Sequence, residues 1–241
     1  MRLLIIRHGD PDYAVDGLTE KGVREAELLC GRLLGEDITD IYCSTLGRAR
    51  LTVEPYLKSS GRNAKYCEWL REFNYPKVRV PYLDKEKHSW DLWPEFVEQR
   101  PELYHPTLWR TADFLQGTDV LAAYDEVCRE FDALMERYGY VRDGLCYKAV
   151  SPSHDTVALV CHFGLTAVIL SYIMNCSPYS IWQNAFTAPT SVTTVYTEER
   201  REGIASLRVA ALGDVSHLLA AGEPAAFSGR FCECFTDETR H

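Results

Sequence analysis

The chain has 241 residues, 46% of them hydrophobic, and a formal net charge of -9 at pH 7. At a working prior of about 150 residues per domain, that length allows one large domain or one domain carrying an insertion, and the apolar content argues against disorder. The negative balance lacks the basic footprint of a nucleic-acid binder, so any anionic ligand has to be met by a local cluster of cations.

The opening MRLLIIRHGDPDY runs from Leu3 to Ile6 as bare hydrocarbon, without the alternation of a half-exposed strand, and reads as a central strand of parallel type. It ends in Arg7 and His8 before a Gly-Asp-Pro turn. Arg is almost never fully buried without a partner, so an anion is expected where this strand stops. LTEKGVREAELLCGRLLG supplies a helix, with Thr19 as N-cap, Glu20 in the first turn, an apolar face through Ala26, Cys30 and Leu33, and Gly35 as a stop. Asp40 to Leu46 is a second short strand running into a turn, and residues 47–60 are a second helix.

From Lys65 to about Tyr147 the pattern changes, because Pro76, Pro81, Pro94, Pro101 and Pro106 break up a stretch rich in Trp, Tyr and charge. This reads as an insertion forming a cap at about residues 73–145, with Val120 to Tyr138 as its one long amphipathic helix. The segment from Thr156 to Met174 approaches the ~20 apolar residues of a membrane span. It divides, however, into a β-rich strand over 156–161, a turn at His162 and Gly164, and a helix from Leu165. No membrane contact is expected. Two further strands begin at Thr190 and Gly203, and residues 228–241 form a polar tail. The alternation predicts an α/β fold, a three-layer sandwich with a mostly parallel central sheet flanked by helices, as a single domain over residues 1–241.

The nine cysteines are scattered, without the Cys-x-x-Cys spacing of a zinc site, and read as small buried hydrophobes. With no signal-like segment at the start of the chain, they predict a reducing, cytoplasmic location.

In open α/β sheets the ligand lies at the carboxyl ends of the strands, so the residues just beyond each apolar run matter most. The first run delivers Arg7-His8-Gly9, the second Ser44-Thr45-Leu46-Gly47-Arg48, and the run from Thr156 delivers His162-Phe163-Gly164. Two arginines and two histidines converging on one edge match a phosphoryl group, whose oxygens Arg binds bidentately.

Taken in order, Arg7-His8-Gly9 after an N-terminal strand, STLGRARLT, His162 before a Gly, and GDVSHL from Gly213 resemble the histidine phosphatase superfamily, also called phosphoglycerate mutase-like; LTEKG resembles the segment that opens that family's first helix. The resemblance covers the α/β core at both ends of the chain and not the insertion. It implies a phosphomonoester hydrolase of the histidine acid type acting on a small organic phosphate, with no metal or cofactor. In that reading His8 is the nucleophile that becomes phosphohistidine, and Arg7, Arg48 and His162 hold the phosphoryl oxygens. Glu72, which matches the family's Leu-x-Glu pattern where Glu68 does not, protonates the leaving oxygen. Phosphoglycerate mutase-type transfer and non-catalytic phospho-ligand binding are the alternatives.

The sequence departs from the family at Ala14, where many members carry a phosphate-touching Asn. His217 reads as a structural histidine. Trp90, Trp93, Tyr104, Trp109 and Phe114 in the insertion either line a substrate pocket or hold a small lid together.

Overall fold

Along the first strand, β1 (Arg2–Arg7), Leu3 and Ile5 turn to one face and Leu4 and Ile6 to the other, and none of the four is more than 1% exposed. A strand apolar on both faces has to lie mid-sheet with layers on both sides. The computed structural model, which describes residues 1–75 and 77–240, places it there. Pro76, read as a breaker, and His241, at the end of the tail, lie outside the described residues.

The next elements are α1 (Glu20–Leu34), β2 (Asp40–Ser44), α2 (Gly47–Ser60), β3 (Lys65–Cys67), α3 (Pro94–Glu98) and α4 (Val120–Arg137). Then come β4 (Tyr140–Asp143), β5 (Cys146–Ala149), β6 (Thr156–Cys161), α5 (Phe163–Met174), α6 (Pro178–Trp182), β7 (Val192–Arg201), β8 (Ile204–Asp214) and α7 (Ser216–Ala220). The eight strands form one mixed sheet in the order β3-β2-β6-β1-β7-β8-β5-β4. Its core strands β3, β2, β6 and β1 run parallel, and the remaining four extend it antiparallel.

The period-2 alternation sorts the core into two layers. Leu4, Ile6, Ala158 and Val160 pack with Leu29 and Leu33 of α1 and Val53 and Tyr56 of α2. On the other face Leu3, Ile5, Val157 and Leu159 pack with Phe131 and Leu134 of α4 and Val168 and Ile169 of α5. Thr19 caps α1, accepting from the Gly22 N–H. Among the described residues no helix is long and apolar enough to cross a membrane. The apolar segment 156–174 is strand β6 with the 12-residue helix α5 after it.

The structure differs from the expected cap at 73–145 in one respect. Helix α4 covers the sheet, and the β4–β5 hairpin adds its outer edge, pairing Tyr140 with Ala149. The part of the insertion outside the layers therefore runs from about residue 73 to about 118, before α4 begins at Val120.

Candidate active site

Strands β1, β6 and β2 are parallel neighbours in register, with Arg7 opposite Cys161 and Val160 opposite Cys43, so their carboxyl ends share one edge. This register brings His8, His162 and the start of α2, which carries Arg48, together. All four predicted phosphoryl-site residues are buried: Arg7 is 4%, His8 1%, Arg48 6% and His162 0% exposed. The two imidazole rings lie 5.0 Å apart.

His8 Nδ1 is 2.7 Å from the Gly9 carbonyl oxygen. A carbonyl only accepts, so Nδ1 carries the proton and Nε2 keeps its lone pair. Burial, and then the charge of Arg7, push the His8 pKa down to about 3, so the ring is neutral near pH 7. His162 is held well below the ordinary histidine range, first by burial and then by His8. Its Nε2 is 2.8 Å from Ser44 Oγ, while its Nδ1 is buried without a partner among the described residues.

The two arginines are held differently. Arg7 donates from Nη1 to the Thr187 carbonyl at 2.5 Å and from Nη2 to the Ser228 carbonyl at 2.7 Å. Two carbonyls orient a guanidinium without neutralising it, and burial lowers its pKa against the pull of Glu72. Arg48 instead pairs with a carboxylate: its Nη1 is 2.5 Å from Asp16 Oδ1, and Asp16 Oδ2 accepts the Gly47 N–H at 2.6 Å at the start of α2. The Nε of each arginine is buried and unpartnered among the described residues. Nearly all buried polar atoms in native structures are hydrogen-bonded, so orphaned donors clustered at one spot mark where an oxyanion would bind. Three of the seven such atoms belong to Arg7, Arg48 and His162, and two more, Thr187 Oγ1 and Ser191 Oγ, lie in the loop that pairs with β1 and His8.

Glu72 stands just past a short 3-10 turn, Glu68–Leu70, anchored by the fully buried Leu70. Its Oε1 accepts the N–H groups of Phe73 at 2.8 Å and Leu165 at 3.2 Å, which brings it against the first turn of α5. A Cβ at residue 164 would stand 2.6 Å from that oxygen, so glycine is required after Phe163 for the carboxyl to approach. Burial raises the Glu72 pKa, opposed chiefly by Arg7. Glu68, the other candidate, is exposed and paired with Arg71 at 3.0 Å.

Sequence reasoning missed Asp16, which the structure places on Arg48. Its only local signal is the Asp-Gly pair, with Asp16 at φ 48°, a left-handed conformation that Asp tolerates better than most residues. Ala14 is exposed, and Tyr13 lies with its ring 5.5 Å from the Arg48 guanidinium carbon. His217 Nε2 is 3.2 Å from Thr190 Oγ1, in the loop behind His8, and burial pushes its pKa down to about 4.

The insertion aromatics pack on one another and on the core. Trp109 is 1% exposed against Tyr124 and Tyr179, Phe114 meets Phe96, and Trp93 stacks on Tyr82 at 4.4 Å. A cavity that touches Glu72, about 330 Å³, is lined by Trp69 and Leu165 and, from the start of the insertion, by Phe73 and Tyr75, among others.

Two buried arginines and two imidazoles with lowered pKa values stand at the carboxyl edge of the parallel core of an α/β sheet, an arrangement suited to an oxyanion. The chain belongs to the histidine phosphatase superfamily (branch 1), whose pattern it matches over residues 3–209. It is 25% identical over 237 residues to a probable phosphatase of Schizosaccharomyces pombe, covering 90% of this chain and 95% of that one. Its fold matches a phosphoserine phosphatase mutant from Entamoeba histolytica in complex with phosphoserine, with a TM-score of 0.61, 15% identity and coverage of 90% of this chain and 98% of the other. It also matches the mycobacterial glucosyl-3-phosphoglycerate phosphatase in complex with VO3, at TM-score 0.56 and 18% identity, over 88% of this chain and 98% of that one. Family and relatives together support phosphatase activity.

Proposed function

We propose that this chain is a phosphomonoester hydrolase of the histidine acid type, acting on a small organic phosphate through a covalent phosphohistidine on His8. The observation that carries the reading is the hydrogen bond from His8 Nδ1 to the Gly9 carbonyl, at 2.7 Å, which leaves a neutral Nε2 with its lone pair among buried arginines. Nε2 attacks phosphorus, the P–O ester bond breaks, and the leaving oxygen takes a proton from Glu72, whose raised pKa favours the protonated form. Water then attacks the phosphohistidine and gives its proton to the Glu72 carboxylate, releasing inorganic phosphate and regenerating His8.

Arg7 and Arg48 stabilise the charge carried by the equatorial oxygens. In this reading the Ser44 hydroxyl, whose Oγ accepts the Leu46 N–H at 3.2 Å, donates to His162 Nε2, 2.8 Å away. That sets the His162 proton on Nδ1, the orphaned donor, for a phosphoryl oxygen. The solved relatives bound to phosphoserine and 3-phosphoglyceric acid support a small phosphorylated molecule as substrate.

The test is release of inorganic phosphate from 4-nitrophenyl phosphate in the presence of a chelator. Turnover is expected with chelator present; activity that returns only with added divalent ions contradicts the mechanism. Rapid interconversion of 2- and 3-phosphoglycerate with little free phosphate contradicts hydrolysis as the main reaction.

A further inference from the structure

Glu25, in the second turn of α1, is a fully buried carboxylate whose two oxygens are both taken by backbone N–H groups. Oε2 accepts from Asp10 at 2.9 Å, two residues beyond the proposed nucleophile. Oε1 accepts from Ala226 at 3.1 Å, which lies 201 residues further along the chain. Two residues after Ala226, the Ser228 carbonyl meets Arg7 Nη2 at 2.7 Å. Gly229 then turns in the left-handed region at φ 82°, where a Cβ would stand 3.2 Å from the same nitrogen.

The segment is fastened upstream as well. Glu223 pairs with Lys21 at 2.6 Å and Arg24 at 3.6 Å, and Lys21 Nζ also donates to the Pro224 carbonyl. Lys21, Arg24 and Glu25 stand at i, i+3 and i+4, so one face of α1 grips residues 223–226.

We propose that residues 223–229 form a strap across the phosphate site and that Glu25 is a positioning residue, tying the strap to the catalytic loop so that the Ser228 carbonyl aims Arg7. The inference rests on the phosphatase reading for its consequence in turnover. A carboxylate suits the role because it is acceptor-only, and the NH2 of a glutamine would face one of the two N–H groups. The strap offers Arg7 a carbonyl where Arg48 has a carboxylate, so Arg7 is oriented while its charge stays available to the substrate.

The test measures the affinity of the full chain for inorganic phosphate by calorimetry, for Glu25→Gln, Ala226→Pro and the double variant, alongside KM for 4-nitrophenyl phosphate. Ala226→Pro removes the strap's N–H and keeps Glu25, so it decides the matter should Glu25→Gln fail to fold. Each variant is expected to weaken phosphate binding and raise KM about tenfold, the scale of one lost hydrogen bond with its partner left buried. The double variant is expected to be no weaker than Glu25→Gln alone, because both substitutions cut the same link.

Folded variants with unchanged phosphate affinity, or losses that multiply in the double variant, would overturn the proposal. A wild type that binds phosphate in this strap-dependent way but hydrolyses no ester would fail the phosphatase reading and leave the strap standing. A wild type that hydrolyses esters with variants unaffected would do the reverse.

Discussion

Two regions of this molecule are rich in chemically suggestive side chains, and they use them in opposite ways. At the carboxyl edge of β1, β6 and β2, two arginines and a histidine keep buried nitrogens without a partner among the described residues, namely Arg7 Nε, Arg48 Nε and His162 Nδ1. In the insertion the comparable groups are spent on the protein itself. Trp90 Nε1 donates to the Phe73 carbonyl at 2.8 Å, His88 Nδ1 meets the Asn74 carbonyl at 3.0 Å, and His105 Nδ1 accepts the Thr107 N–H at 3.2 Å. Only Ser89 Oγ is left over there among the described residues. Ring-bearing and titratable residues are thus a weak marker of a site, and buried donors without acceptors a stronger one.

The comparison breaks most easily at His8. His8→Ala is expected to lower turnover by about 10⁴-fold or more, since it removes the proposed nucleophile. Its thermal stability should hold, because the variant no longer buries an imidazole. Activity within tenfold of wild type would mean that the edge is not the site.

Glu72→Gln comes next, with a loss of about 10²-fold or more for alkyl phosphates. For 4-nitrophenyl phosphate the loss should be smaller, because that leaving group departs without a proton. Equal losses for both esters would remove Glu72 from the role of acid.

In the insertion the expectation inverts. Trp109→Ala should cost about 3–5 kcal/mol of folding stability, through the cavity it leaves against Tyr124 and Tyr179, while kcat/KM per folded molecule stays within about threefold. Denaturant unfolding paired with steady-state kinetics separates the two effects. A variant of normal stability and much weaker substrate binding would turn the insertion into part of the site.

The smallest effect is in pH. His8 and His162 both titrate below their unfolded value of 6.5, so the unfolded chain binds more protons, and the stability they contribute is complete above 6.5 and lost as pH falls. Between pH 8 and about 5.5 the loss should reach up to about 1.4 kcal/mol per histidine, and His8→Asn should remove about half of that combined slope. Chemical denaturation across this range checks it. Stability that is flat in pH, or an unchanged slope in the variant, would count against two buried neutral imidazoles.

The features legible in the sequence were those that lie close along the chain. Helix α2 spans residues 47–60 as expected, β6 spans Thr156–Cys161, and Arg7, His8, Arg48 and His162, the residues proposed to hold the phosphoryl group, stand at the ends of buried strands or in the first turn of a helix. The β4–β5 hairpin was not legible, because two four-residue strands of mixed polarity carry no periodicity to distinguish them from a loop. The supporting contacts of the site were hidden for a different reason. Asp16 meets Arg48 across 32 residues, and Glu25 meets Ala226 across 201, so each reads locally as an ordinary turn or helix acid. The tail from Ser228 read as polar chain because its contact with Arg7 is made by a backbone carbonyl, which no side-chain pattern reveals.

The central claim is that His8 is phosphorylated during turnover. Rapid mixing with an aryl phosphate, quenching in base and mapping of the modified peptide by mass spectrometry test it most directly. The account predicts an acid-labile, base-stable phosphate on His8 that forms and decays at least as fast as steady-state turnover and is absent from His8→Ala. Steady phosphate release with no phosphoenzyme at any time point, in an assay that detects a phosphohistidine standard, or a label on another residue that persists in His8→Ala, would contradict it.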